Sequence, residues 1–272
     1  MVNLEGNKSI KEKLYDFYDK KYKLLLIIPF VVLLLAIVQI AYQIHTTGDF
    51  IKKDVSLKGG VTITVPFEKP FEPGKLQEEI SSKFPGYEVV VRSLKSTGTT
   101  IGFIVEADID GNNKEDIQKL LDSISSSIGE NISKINYGLE IIGSTLGQSF
   151  FRESLIAIAV AFAFMAIVVF LYFRTFIPSL AVVLAGFSDM VIAMAAINLM
   201  GVRVGTAGIA AFLMVIGYSV DTDILLTVRV LKRKEGTVMD RILGAIKTGM
   251  TETMTAIVAV VVAMIVIQYS SG

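Results

Sequence analysis

The chain contains no cysteine, which removes disulfides, thiolate metal sites and cysteine nucleophiles together. It contains a single histidine, His45, so paired-histidine metal motifs are excluded as well. No Gly-x-x-x-x-Gly-Lys-Ser/Thr loop and no nucleophile–base pairing of residue types is present, so the reading is no enzyme and no cofactor. The formal net charge is zero, 26 basic against 26 acidic residues, and nothing in that balance points to nucleic acid. What the chain has in excess is apolar length. Of its 272 residues 52% are hydrophobic and 19% charged, and long uncharged runs alternate with segments dense in Lys, Glu and Asp. That is too apolar for an ordinary soluble domain.

A spanning helix needs about 20 largely apolar residues to cross a core of about 30 Å. Segments 24–42, 155–173, 177–200, 204–228 and 250–267 qualify. The first outruns the apolar core of a signal peptide and no Ala-x-Ala site follows it, so it reads as a retained anchor. Lys8, Lys11, Lys13, Lys20, Lys21 and Lys23 precede the first span, Arg174 lies between the second and third, and Arg229, Lys232, Arg233, Lys234, Arg241 and Lys247 follow the fourth. All of these fall on one side, which the positive-inside rule makes the cytoplasm. The predicted organisation is a cytoplasmic basic N-terminus over 1–23, a first span over 24–43, an extracytoplasmic domain over 44–150, and spans two to five over 151–272 with a cytoplasmic amphipathic segment at 229–249. The predicted location is therefore the cytoplasmic membrane, multi-pass, with the N-terminus inside.

Between the first two spans the periodicity changes. Val61, Ile63, Val65 and Phe67 alternate as a half-buried strand ending at Pro66. Leu76, Ile80 and Phe84 recur as a helix face that Pro85-Gly86 stops. Val89 to Val91 and Ile101 to Val105 pair as a hairpin around Ser96-Thr97-Gly98. Asn112 or Asn113 caps a helix whose face is Ile117, Leu120, Leu121, Ile124 and Ile128. Ile135, Tyr137, Leu139 and Ile141 alternate as a last strand. The fold class predicted is thus a polytopic α-helical membrane protein carrying an α+β, ferredoxin-like βαββαβ domain outside the membrane. That domain offers an exposed sheet edge to which an unfolded client would add a strand, with its charges otherwise a solvated surface. Gly59 and Gly60 at its start permit a tight entry into the sheet, a bulge, or close approach of another chain.

The chemistry to explain is carboxylates inside the spans. Asp189 lies mid-way along the third span, and Asp221 and Asp223 lie near the cytoplasmic end of the fourth. An ionised side chain in hydrocarbon costs roughly 3 kcal/mol on insertion scales, so such acids face a bundle interior or a polar path. Asp189 and Asp221 are expected to differ in depth by roughly 7 to 8 Å, and Asp221 and Asp223 to point about 200° apart on their helix. Either a carboxyl takes up and releases protons as the helices move, or it ties helices together in a fixed bond. Ala181 with Ala185, Ala207 with Ala211, and Ala259 with Ala263 fit the spacing that lets helices approach. Thr237 and Asp240 form a capping signature for a short amphipathic helix. Glu252 reads as an interfacial carboxylate.

Taken in order, these landmarks resemble SecF, the smaller partner of SecD in the protein-export machinery, a family related to the resistance-nodulation-division transporters. The glycine pair in Ser56-Leu57-Lys58-Gly59-Gly60, the βαββαβ segment, and Ile142-Gly143-Ser144-Thr145-Leu146-Gly147 before span two, similar to the family's Gly-Pro-x-Leu-Gly, carry the likeness. So do Ser188-Asp189 and the triplet Gly217-Tyr218-Ser219. In many SecF chains that triplet precedes Leu-Asn-Asp-Thr, whereas here it precedes Val220-Asp221-Thr222-Asp223. Bacterial relatives place an Arg at the start of the fifth span where this chain has Glu252. The family has six spans against five here, so either the chain is truncated or its last helix is missing from this sequence. The resemblance implies an accessory export subunit that pairs with a SecD-like subunit beside the translocation channel, acts on exported polypeptide clients within membrane lipid, and uses the proton gradient. It suggests Asp221, Asp223 and Asp189 as proton-coupling candidates and Gly59, Gly60, Gly217 and Tyr218 as structural or partner contacts. The alternatives are a scaffold or client-binding subunit without ion coupling, and an efflux-type transporter component.

Overall fold

In a computed structural model, residues 10–96 and 99–270 are described. Lys8 of the basic tail and Thr97-Gly98 of the hairpin turn lie outside them. Among the described residues five helices are long and apolar enough to cross a membrane. These are α1 (Ile10–Thr47), α5 (Ser144–Phe173), α6 (Phe176–Leu199), α7 (Thr206–Leu231) and α8 (Val238–Ser270). Thr237 and Asp240 do form a reciprocal box, each accepting from the other's backbone N–H at 3.2 and 3.0 Å. The helix they start is not a short separate one. It is α8 itself, continuous for 33 residues, because no proline or capping break interrupts its sequence.

Between α1 and α5 the chain builds a four-stranded antiparallel sheet. Its elements are α2 (Val55–Lys58), β1 (Gly60–Pro66), α3 (Pro73–Lys83), β2 (Val89–Ser96), β3 (Thr99–Ala107), α4 (Lys114–Ile128) and β4 (Gly138–Ile142), in the order β2-β3-β1-β4. Helix α4 shows why the sequence folds this way. Asn113 accepts hydrogen bonds from the backbone of Glu115 and Asp116, two acids sit in the first turn where the helix dipole favours them, and Gly129 at φ +70° closes the far end. Its apolar stripe, Leu120 and Ile124 among it, is buried against Val61, Ile63, Val65, Phe103 and Val105 of the strands. Each such side chain contributes about 1.5 to 3 kcal/mol by leaving water.

The last strand is shorter than its alternation predicts. Ile135 and Tyr137 belong to the turn after a 3-10 segment, Ile132–Lys134, and pack on the core from there. Leu139 and Ile141 pair with Ile63 and Val61 yet remain 42% and 46% exposed. The backbone fits a strand, but among the described residues no helix covers that end of the sheet's apolar face.

The described chain divides into two compact units. One contains the sheet domain, most of α5 and the first turns of α7. There Gly59, at φ +86°, leaves no room for a side chain against Ser144, and a Cβ on Gly147 would lie 2.6 Å from the Gly59 nitrogen. The two glycine-bearing motifs of the sequence therefore pack on each other. The other unit contains α1, α6 and the parts of α7 and α8 between Met214 and Glu252. Close packing in it falls at Gly186, where a Cβ would come 2.9 Å from Val220. Around that contact cluster Val169, Phe173 and Val182, while Ala36 packs with Val191 and Ala195. Ala207, Ala211, Ala259 and Ala263 are exposed, so the expected small-residue pairs of α7 and α8 are not where this chain's helices meet.

Candidate functional site

Asp189 on α6 accepts a hydrogen bond from the hydroxyl of Ser219 on α7. Its sequence neighbour Ser188 is turned to its own helix and donates to the Leu184 carbonyl at 2.7 Å. Ser219 lies two residues, about 3 Å along the axis, before Asp221 and so nearer the level of Asp189 than Asp221 is. Asp221 is exposed on the outer side of α7. Asp223 is half-buried, one carboxyl oxygen is sealed from solvent with no hydrogen-bond partner, and Asp189 is within electrostatic reach. The structure thus brings together Asp189, Ser219 and Asp223 and leaves Asp221 apart.

Two further residues extend this polar group. Tyr218, 41% exposed, donates its hydroxyl to the backbone carbonyl of Glu252 at 3.1 Å. Glu252 is not the open interfacial carboxylate expected. It is partly buried, and one of its oxygens is sealed and unpartnered, as is the Thr222 hydroxyl. Gly217 meets nothing where a side chain would stand, so it supplies a bare stretch of helix surface beside Tyr218. Sealed carboxyl oxygens without partners are costly unless protonated or met by another donor. Among the described residues no group of three metal-ligating side chains is placed to hold an ion. The chemistry available is proton uptake and release on carboxyls, with hydroxyls to relay or orient.

Arg229 in the last turn of α7, and Lys232 and Arg241 after it, are engaged rather than free. Arg229 bonds the Thr248 hydroxyl, Arg241 donates to the Val230 carbonyl at 3.0 Å, and Lys232 lies 4.0 Å from the ring centre of Tyr172. They fasten α7, α8 and the end of α5 at one level.

At the root of the sheet domain a second charged group forms. Glu88 bonds Lys58 at 2.7 Å and also pairs with Arg203 from the loop between α6 and α7. Burial pushes the Glu88 carboxyl up, but Lys58, Arg203 and Lys52 together outweigh it and hold it below the usual carboxylate range. Glu106 on β3 is buried with Arg92 at 3.2 Å. Burial pushes its carboxyl up, Asp54 adds to this, and Arg92 and Arg203 only partly oppose.

The sequence pointed to Asp189, Asp221, Asp223, Gly59, Gly60, Gly217 and Tyr218. It passed over Ser219, although that residue stands in the triplet that carries the family likeness, and a hydroxyl one turn from an acid was the available signal. Arg203 was visible as an isolated charge in a short loop. Its partner Glu88 was not, because 115 residues separate them.

Residues 121–271 match the model of a family described as protein export membrane protein SecD/SecF, C-terminal. The protein-export membrane protein SecF of Methanocaldococcus jannaschii is 36% identical over 250 residues, covering 92% of this chain and 83% of that one. The SecF of Pyrococcus furiosus is 36% identical over 254 residues, covering 93% and 82%. Among solved structures, SecDF from Thermus thermophilus, described as a translocon-associated membrane protein, is similar in fold at a TM-score of 0.60 and 17% identity. That likeness covers 93% of this chain but 32% of the SecDF chain, so the present chain spans about a third of it.

Proposed function

The chain belongs to the SecF family of protein-export membrane proteins, and from that premise we propose that it is an accessory subunit of the Sec export machinery, paired with a SecD-like subunit and driven by the proton gradient. It is a multi-pass membrane protein. The observation that carries the coupling is the polar group inside the spans: the Asp189–Ser219 bond on α6 and α7, and the sealed carboxyl oxygen of Asp223. A carboxyl that lacks a donor in an apolar setting is stable when neutral and strained when charged, so a change in its surroundings exchanges a proton. Glu252 stands in the stretch that the resemblance matches to an Arg of bacterial relatives, and no role of that Arg is carried over to it.

The topology in this reading has the N-terminus (1–23) in the cytoplasm, a first span over 24–43, and 44–150 outside. Spans two to five follow over 151–272, with 229–249 at the cytoplasmic surface. The sheet order β2-β3-β1-β4 supports assigning the outer domain to the ferredoxin-like class. The chain spans about a third of the SecDF chain, and ion sites of related transporters lie between paired halves, which supports a SecD-like subunit as the partner. The uncovered apolar end of the sheet at Leu139 and Ile141, on the edge strand β4, supports that edge as a face for the SecD-like subunit. The translocation channel, exported polypeptides and lipid complete the partners, and no reaction chemistry is assigned.

A non-coupled scaffold is the second reading, favoured by the fact that Asp189 is already satisfied by Ser219. Isolation of the tagged chain from native membranes tests the proposal. Recovery of a SecD-like subunit is expected, and its absence under conditions that keep the channel intact contradicts it.

A further inference from the structure

Helix α7 does not begin freely. The backbone N–H of Val204, just before it, donates to the Lys52 carbonyl at 2.8 Å, and the Val204 carbonyl accepts from Asp54 at 3.1 Å, which makes Lys53 and Val204 neighbours in a parallel bridge. The first amide of α7, that of Thr206, donates to the hydroxyl of Ser56 at 3.2 Å. Ser56 in turn is held by Asp54, whose carboxyl accepts from both the Ser56 backbone, at 2.9 Å, and its hydroxyl. A Cβ on Gly205 would collide with that same carboxyl, so the approach requires glycine. Val204 is 4% exposed, and Val55 and Leu57 beside it are buried.

A helix leaves its first amides without partners, and a Ser or Asp side chain directly before it ordinarily supplies the acceptor. Here the acceptor comes from 150 residues away in the chain. We infer that Asp54 and Ser56 are positioning residues for α7, capping it from the sheet domain so that the domain's root and the first turn of the helix form one rigid weld. Arg203, whose side chain is 18% exposed, ties the same loop to Glu88 and reinforces the weld. Helix α7, which carries Ser219, Asp221 and Asp223 further along, runs continuously from that first turn to Leu231. The weld itself is independent of the proposed export role; its consequence for coupling rests on that role.

Hydrogen exchange on the full chain tests the weld. The amides of Val204 and Thr206 are expected to exchange as slowly as those of β1. In Asp54→Ala/Ser56→Ala, and in Gly205→Ala, they exchange roughly five-fold faster or more, the scale of a lost cap. Ser56→Thr and Asp54→Asn, which keep an acceptor, restore protection. Fast exchange in the unaltered chain, or exchange indifferent to these substitutions, overturns the inference. Should the Ala variants not fold, the cysteine-free sequence offers a second measurement, since Lys53→Cys/Val204→Cys creates the sole thiol pair. Ready disulfide formation supports the weld and failure to cross-link overturns it. In gradient-driven export the oxidised pair is expected to work at the rate of the reduced pair. Inhibition relieved by reduction means the weld opens, and overturns it. Absence of export with the unaltered chain would instead count against the proposed function and leave the exchange result standing.

Discussion

Ser219 donates its hydroxyl hydrogen to Asp189, joining α7 to α6 within the apolar length of both helices. Side-chain hydrogen bonds between membrane helices contribute about 0.6 kcal/mol on average and up to about 1.7. Ser219→Ala is therefore expected to lower resistance to unfolding in bicelles by roughly that amount. Ser219→Thr keeps the donor and is expected to stay near the unaltered chain. A loss several times larger would mean that Asp189 is left charged and unpaired, which is a different role from the one assigned.

The charged root of the sheet domain predicts opposite responses to pH from two acids. Glu88 is held below the usual range, so its contribution is present above the ordinary carboxylate pKa of about 4.3 and is lost as pH falls through its lower folded value. Its side chain is 47% exposed and its ion pairs are screened, so Glu88→Gln is expected to cost under about 1 kcal/mol at neutral pH and nothing in acid. Glu106 is pushed up by burial, so its contribution is present below about pH 4.3 and is lost as pH rises through its folded value. Denaturation of Glu106→Gln across that window is expected to show a flatter fall of stability with rising pH. A steeper fall contradicts the assignment.

Gly59 combines φ +86° with the backbone of Ser144 at the place where a Cβ would stand. Gly59→Ala is expected to cost more than about 1 kcal/mol, from left-handed strain and displacement of the start of α5. Thermal unfolding of the full chain in detergent measures it. Gly86, also at positive φ but with nothing within 4 Å, serves as the control in which strain acts without the clash.

Leu139 lies on the edge strand with its core-side face uncovered. Leu139→Glu is expected to leave the chain folded, since surface changes ordinarily stay within about 0.5 kcal/mol, while abolishing recovery of the SecD-like subunit from native membranes. Undiminished recovery would move that interface elsewhere.

Legibility in the sequence followed the range of the interactions. Helix α4 was readable in detail because its cap, acids and apolar stripe lie within 15 residues of one another. The five apolar runs were readable from length alone, though not the extension of α1 back to Ile10 or the union of the amphipathic segment with α8. Asp189 and Asp223 were visible as carboxylates in apolar runs. That Asp223 and not Asp221 faces inward depended on which side of α7 packs on Gly186 through Val220, a tertiary fact no local pattern encodes. Glu88 with Arg203 and Ser56 with Thr206 were invisible for the same reason, each being a meeting of distant segments.

The central claim is that carboxyls in the α6–α7 polar group exchange protons during export. Its most direct test is proton-gradient stimulation of export in vesicles carrying the whole complex, with Asp189→Asn/Asp223→Asn compared against Asp221→Asn at equal assembly. The account predicts that stimulation disappears in the double variant and survives in Asp221→Asn. Undiminished stimulation in the double variant would contradict it.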